Sequence, residues 1–179
     1  MRGRVFELQV EPSFIEYLVT NRGSEDTRSE VVMVLPRPCG RVILVTKPFY
    51  PESVYRLPSG GVKPGESPEE AFVREVNEET GLRSEPMRVI EQTILRCCSA
   101  SDVVEITSYI MLGSLTTEEP RPEDSGEQIS GFQEVTASEL RSVAEKLQNL
   151  TGSWRSWGLF RAPAHLVAAE YLTAERFPA

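Results

Sequence analysis

The sequence predicts an α+β domain in which a mixed β-sheet carries helices on its faces. Three observations predict it. The chain has 179 residues, enough for one domain with a sizeable core and too few for two full ones. Its apolar stretches run in the order strands, helix, strands, helices, the pattern of a sheet covered by helices. Local start and stop signals bound the first predicted helix at both ends and open the second.

From the N-terminus, Val5 to Val10 and Phe14 to Val19 read as two short strands split by Glu11-Pro12-Ser13, so residues 1–30 are expected to form an N-terminal β extension. The polar stretch Asn21 to Glu30 reads as a loop. Two near-continuous apolar runs, Val31 to Leu35 and Val42 to Val45, flank Pro36-Arg37-Pro38-Cys39-Gly40, which predicts a buried β-hairpin. Pro58 to Gly65 holds five glycines and prolines, a loop that must bend repeatedly. A helix is expected over 67–80. Ser67 is a good N-cap, Pro68 suits the first helical position, Glu70 completes a capping box, and Gly81 supplies the left-handed C-terminal residue.

Strands are expected near 86–95, 103–115 and 130–135, with a long acidic connection before the last. Thr136-Ala137-Ser138-Glu139 is a second capping box, opening a helix with Leu140, Val143, Ala144 and Leu147 on one face. Pro163 is placed in the first turn of a final helix whose stripe is Ala164, Val167, Ala168 and Tyr171, within a C-terminal helical segment spanning 150–179. No internal repeat divides the chain, so residues 1–179 are read as a single domain.

Composition narrows the function. A 40% hydrophobic content is too high for disorder, and no apolar run reaches the roughly 18 residues of a membrane span. The start turns acidic at Glu7 before any apolar stretch develops, unlike a secretory signal. The formal net charge of −8 argues against nonspecific nucleic-acid binding, which needs a basic face. Three cysteines without a C-x-x-C pair fit a reducing, cytoplasmic setting. With one histidine, His165, a two-histidine zinc site is impossible, so catalysis must rest on carboxylates, lysine or a carboxylate-bound metal.

Within the predicted helix, Glu75, Glu78 and Glu79 stand at i, i+3 and i+4 and project from one face. Like charges so placed repel one another. A divalent cation turns that repulsion into an oxygen site suited to Mg²⁺ or Mn²⁺. Standing alone, such a triplet is more often a solvated acidic face.

The wider spacing reverses that preference. Gly60, five residues, Glu66, seven residues, then Arg74-Glu75-Val76-Asn77-Glu78-Glu79-Thr80-Gly81-Leu82 fills all nine specified positions of the Nudix box. The chain therefore resembles the Nudix hydrolase superfamily. The resemblance implies an α/β/α sandwich and metal-dependent hydrolysis of a nucleoside diphosphate linked to another moiety, by water attack on phosphorus. It implies Glu75, Glu78 and Glu79 as metal-binding carboxylates, with Glu78 and Glu79 also counted as catalytic, and a backbone carbonyl from Gly60 or Gly61. Glu66 and Arg74 are implied as a structural ion pair orienting the helix.

In several branches a loop carboxylate outside the box takes the water's proton. Asp124-Ser125-Gly126-Glu127-Gln128-Ile129 resembles the Glu-rich turn of ADP-ribose pyrophosphatases, which makes Glu127 the first choice of base, ahead of Glu123 and Asp124. Leu57-Pro58-Ser59-Gly60-Gly61 is similar to that branch's Leu-Pro-Ala-Gly-Gly. The branch's proline beyond the box is missing, with Cys97 and Cys98 in its place. ADP-ribose or another NDP-sugar is thus the first substrate expectation, and nucleoside triphosphates or dinucleoside polyphosphates are the alternative. A noncatalytic nucleotide sensor is the alternative of another class, though such modules often lose the box carboxylates. The expected partner is a small nucleotide rather than a nucleic acid or a membrane, and the branch's habit of pairing through its N-terminal part implies a homodimer.

Other signals are weaker. Lys47, Tyr50 and Arg56 lie on or beside the loop feeding the box and are expected to bind substrate, with Tyr55 next to them. Trp154 and Trp157 are read as packing the C-terminal segment onto the domain in preference to forming a nucleobase platform. His165 is expected as a partly exposed helix residue, and Cys97 and Cys98 as small core residues. Residues 60–82 carry six acids against two bases and residues 117–134 six against one, so the acidity sits at the box and the proposed base loop.

Overall fold

The computed structural model describes residues 3–21, 28–100, 102–122 and 125–174. Among the described residues, eight strands and four α-helices run in the order β1 (Val5–Gln9), α1 (Pro12–Asn21), β2 (Ser29–Val34), β3 (Pro36–Arg37), β4 (Arg41–Thr46), β5 (Ser59–Gly61), α2 (Pro68–Thr80), β6 (Pro86–Cys98), β7 (Val103–Gly113), β8 (Gly131–Val135), α3 (Ala137–Gln148) and α4 (Arg155–Ala174). A five-stranded sheet has the order β1-β6-β7-β2-β5, and a three-stranded sheet the order β3-β4-β8. The larger sheet is mixed: β1 runs parallel to β6 and β2 parallel to β7, while the remaining pairs are antiparallel.

The run Val31 to Leu35 is apolar without alternation because both of its faces are covered. Val31, Met33 and Leu35 pack with Ala71, Phe72 and Val76 of α2. Val32 and Val34 pack with Leu140 of α3 and with Ala164, Val167 and Ala168 of α4. Helices therefore cover the sheet on opposite sides, and α2 is fixed against it by the apolar side of the same helix that carries the acids.

Both capping boxes form. Ser67 and Thr136 accept from the backbones of Glu70 and Glu139, whose carboxylates reach back to the caps. Gly81 closes α2 in the left-handed region at φ 66°, its N–H bonded to the Asn77 carbonyl.

The N-terminal and C-terminal ends differ from the sequence reading. The stretch Phe14 to Val19 lies in α1, not in a strand, so the described part of residues 1–30 is not the all-β extension expected. Pro12 opens the helix, and Phe14, Ile15 and Leu18 meet Leu95, Cys97, Ile106 and Phe160 at helical spacing. Much of the expected Asn21–Glu30 loop, residues 22–27, lies outside the described residues. The expected hairpin is confined to β3 and β4, where Pro36 faces Val42. The two long apolar runs go to different sheets, because β2 pairs with β5 and β7 while β4 pairs with β8.

Pro163 lies inside α4 and not in its first turn, for the helix begins at Arg155. That earlier start brings α4 against α3, and Gly158 permits it: a Cβ there would overlap the Leu147 carbonyl. Buried Arg37 gathers the loop after β7, donating to the carbonyls of Thr116 and Glu118 at 2.8 Å each and to the Glu134 carboxylate at 2.7 Å. No described helix is long and apolar enough to cross a membrane.

Candidate functional site

A cleft of about 560 Å³ opens where β5, α2, the 47–56 loop, α1 and the start of α4 meet. One part of it is charged and the other aromatic. Lys47, Arg56, Glu75, Glu79, Glu127 and Arg161 supply the charge, beside Gly60 and Gly61.

The capped helix α2 sets the carboxylates. Glu75 and Glu79 are buried, whereas Glu78 is partly exposed. Oxygens of Glu75, Glu78 and Glu127 all lie within 4.8 Å of one another. Three carboxylates at this spacing are a hard-oxygen donor set of the type that Mg²⁺ and Mn²⁺ take. Gly60 lies directly against them, since a Cβ at that position would overlap the Glu75 carboxylate. Burial pushes the Glu75 carboxyl up to about 7; Arg74 opposes this, and the charges of Glu79 and Glu78 add to it.

Arg74 brackets the group. Its Nε and Nη2 donate to the two oxygens of Glu66 at 2.7 and 2.8 Å, and its Nη1 reaches Glu75 at 2.6 Å and Glu78 at 3.0 Å. Nη2 also donates to the Gly61 carbonyl at 2.9 Å. The hydrogen bonds from Arg74 pull the Glu66 carboxyl down to about 2.

Glu79 is held apart from its two neighbours on the helix. Its oxygens accept from Arg56 Nη2 at 2.7 Å and from the Ser59 N–H at 2.9 Å. Lys47 Nζ lies 4.0 Å from Glu79 and 3.1 Å from Glu127, so one ammonium stands between the box helix and the 125–127 turn. Arg56 is buried; burial works against its charge, yet Glu79 and Tyr50 outweigh that and raise its pKa. Its Nε donates to the Tyr50 hydroxyl at 2.9 Å.

All four of Lys47, Tyr50, Arg56 and Glu127 line the cleft. Tyr55 does not, since it packs on the core beside Val135 and Leu140. Glu123 and Asp124 lie outside the described residues.

Several cleft residues went unassigned in the sequence reading. Arg161 of α4 donates to buried Glu30 at 3.0 Å, and Glu30 also accepts from Ser108. No local signal reveals this, because the partners are 131 residues apart. His165 is buried and not partly exposed. Its Nε2 accepts the Leu57 N–H at 2.8 Å, which puts the proton on Nδ1, 2.9 Å from the Arg161 carbonyl. Burial pushes its pKa down to about 3, helped by the charges of Arg161 and Arg56.

The NUDIX domain family matches residues 26–157 of the chain. Among sequence relatives, an RNA pyrophosphohydrolase of Pectobacterium atrosepticum is 39% identical over 66 residues, covering 37% of this chain and 36% of the relative. The match thus spans about a third of that relative's length. Among solved structures, a NUDIX hydrolase from Nitrosomonas europaea superposes with a TM-score of 0.57 at 22% identity, over 83% of this chain and 90% of that one. An ADP-ribose pyrophosphatase from Streptococcus suis gives 0.51 at 19% identity, over 84% and 93%. These likenesses speak to the fold.

Proposed function

The chain belongs to the Nudix family, and on that premise we propose that it is a metal-dependent hydrolase of the diphosphate linkage in a nucleoside diphosphate derivative, with ADP-ribose or another NDP-sugar as the first candidate. The observation that carries the reading is the convergence of Glu75, Glu78 and Glu127 oxygens within 4.8 Å beside a buried Glu79. Glu75 and Glu78, with the Gly60 carbonyl, would hold Mg²⁺ or Mn²⁺, while Glu79, the third carboxylate that the resemblance implies, is engaged here by Arg56 and the Ser59 N–H. When bound, the ion supplies the positive charge that a diphosphate demands and the acidity that makes water a nucleophile.

The chain's own residues do the rest. Lys47, Arg56 and Arg161 offer cations to the phosphate oxygens that the ion leaves uncovered. Glu127 takes the proton of the attacking water at a carboxylate oxygen, with Lys47 Nζ 3.1 Å away to hold that carboxylate in place. Arg74 holds Glu66, Glu75 and Glu78 in one arrangement before substrate arrives.

A second reading rests on the sequence relatives, which are RNA pyrophosphohydrolases: pyrophosphohydrolysis of RNA. A hydrolysis screen with Mg²⁺ separates the two. Substrates are ADP-ribose, NDP-sugars, NADH, dinucleoside polyphosphates, nucleoside triphosphates and 5′-triphosphorylated RNA. AMP plus ribose 5-phosphate from ADP-ribose supports the first reading, and selective turnover of the RNA replaces it with the second. Nucleotide binding without turnover of any substrate overturns both in favour of a sensor.

A further inference from the structure

The aromatic part of the cleft has no role in the chemistry just described. Its members come from three separated segments: Phe14 and Tyr17 from α1, Phe49 and Tyr50 from the loop after β4, and Trp154 and Trp157 beside the start of α4. Two of these rings are costly where they stand. Phe49 is 55% exposed and Tyr17 48% exposed, although both line a concave surface. The inner rings hold one another mostly edge-on. Trp154 and Trp157 meet at 5.3 Å and 83°, Tyr50 and Trp154 at 5.7 Å and 77°, Tyr50 and Trp157 at 4.8 Å and 52°. Such contacts fix the rings without stacking them face against face. Trp157 is seated on Val54, Leu147 and Ala162, so packing anchors it as well.

Tyr50 ties this cluster to the charged part. Its hydroxyl accepts from Arg56, and Arg56 holds Glu79. The aromatic cluster and the acidic helix are thus linked through one guanidinium and one phenol within a single cleft. None of the described residues lining the cleft is Asn or Gln, the side chains that read adenine through two hydrogen bonds.

Taking the cleft as a nucleotide site, as the reading above does, we infer that Trp154, Trp157 and Tyr50 form the stacking surface for the substrate's base. The surface selects by ring area, so it favours purine over pyrimidine nucleotides and discriminates poorly between adenine and guanine.

The chain contains two tryptophans, and both are in this cleft, so intrinsic tryptophan fluorescence has no other source. Titration of the intact protein with ADP is expected to change that emission saturably. GDP acts in a similar range and CDP more weakly, while ribose 5-phosphate and pyrophosphate have no effect. Trp157→Ala and Trp154→Ala raise KM roughly tenfold with kcat within about twofold, the mark of binding shared by ground and transition states. Trp157→Phe, which keeps a ring on the Leu147 seat, restores most of the loss. An emission indifferent to ADP, an equal response to ribose 5-phosphate, or a wild-type KM in both alanine variants overturns the inference. If ADP alters the emission while no substrate is hydrolysed, the base site stands and the hydrolase reading is what has failed.

Discussion

Arg56 and Glu79 form a buried ion pair, Nη2 to Oε1 at 2.7 Å, in which the guanidinium also bonds the Tyr50 hydroxyl and the Ser59 side chain. Removing one partner from such a pair strands a charge out of water. Arg56→Met is expected to cost about 3–5 kcal/mol of unfolding free energy. The double replacement of Arg56→Met with Glu79→Leu recovers much of it, since no lone charge remains. Urea unfolding of the two single variants and the double variant measures the coupling; additive losses would refute it.

Two adjacent glycines separate conformational from steric need. A Cβ at Gly60 would overlap the Glu75 carboxylate, while one at Gly61 meets nothing within 4 Å. Gly60→Ala is expected to destabilise by about 1–3 kcal/mol and to displace Glu75. Gly61→Ala stays within about 0.5 kcal/mol of wild type. Thermal unfolding ranks the pair, and equal losses would contradict the difference in room.

Glu66 does not belong to the converging carboxylates, but it occupies two donors of Arg74. Glu66→Gln frees that guanidinium to close further on Glu75 and Glu78, where it competes with a cation for their oxygens. Mn²⁺ affinity, followed by electron paramagnetic resonance, is expected to fall about 10- to 100-fold while α2 stays folded. Unchanged affinity would reduce Arg74 to a surface pairing.

His165 gives the fold a pH dependence of known sign. Its pKa is pushed down to about 3 in the folded state, whereas an unfolded histidine titrates near 6.5. Between these values the unfolded chain binds the proton and the folded chain does not. Stability from this group is therefore complete above about pH 6.5 and falls as pH drops toward 3, by up to about 1.4 kcal/mol per pH unit. His165→Gln keeps an acceptor for the Leu57 N–H and removes the titration. Denaturant midpoints at pH 7.5 and 5 should drop more for wild type than for this variant; parallel drops would assign the acid sensitivity elsewhere.

What could be read from the chain was what depends on neighbours in sequence. The α2 boundaries follow from Ser67, Pro68, Glu70 and Gly81 within fifteen residues, and the α3 start from Thr136 and Glu139. Segments whose state depends on distant partners were misread or missed. Phe14 to Val19 has the β-branched look of a strand, and its helix pays off only against Phe160 and Ile106. His165 has an ordinary helical position, and its burial comes from Leu57, 108 residues away. The aromatic cluster was the hardest to see, since α1, the 47–56 loop and α4 meet only in the folded chain. The NUDIX match covers 26–157, so Phe14, Tyr17 and Arg161 reach the cleft from outside it.

The Arg37 clamp has a consequence for Glu127. That guanidinium binds the chain at Thr116 and Glu118 and again at Glu134, so the segment carrying Glu127 is closed into a short ring by noncovalent bonds at both ends. Closing a ring early lowers the entropy cost of bringing its middle to a fixed point, and raises the local concentration of whatever the middle carries. Arg37 does not line the cleft. It nonetheless ties down both ends of the segment that carries Glu127, which links a buried arginine in the second sheet to the placement of the proposed base.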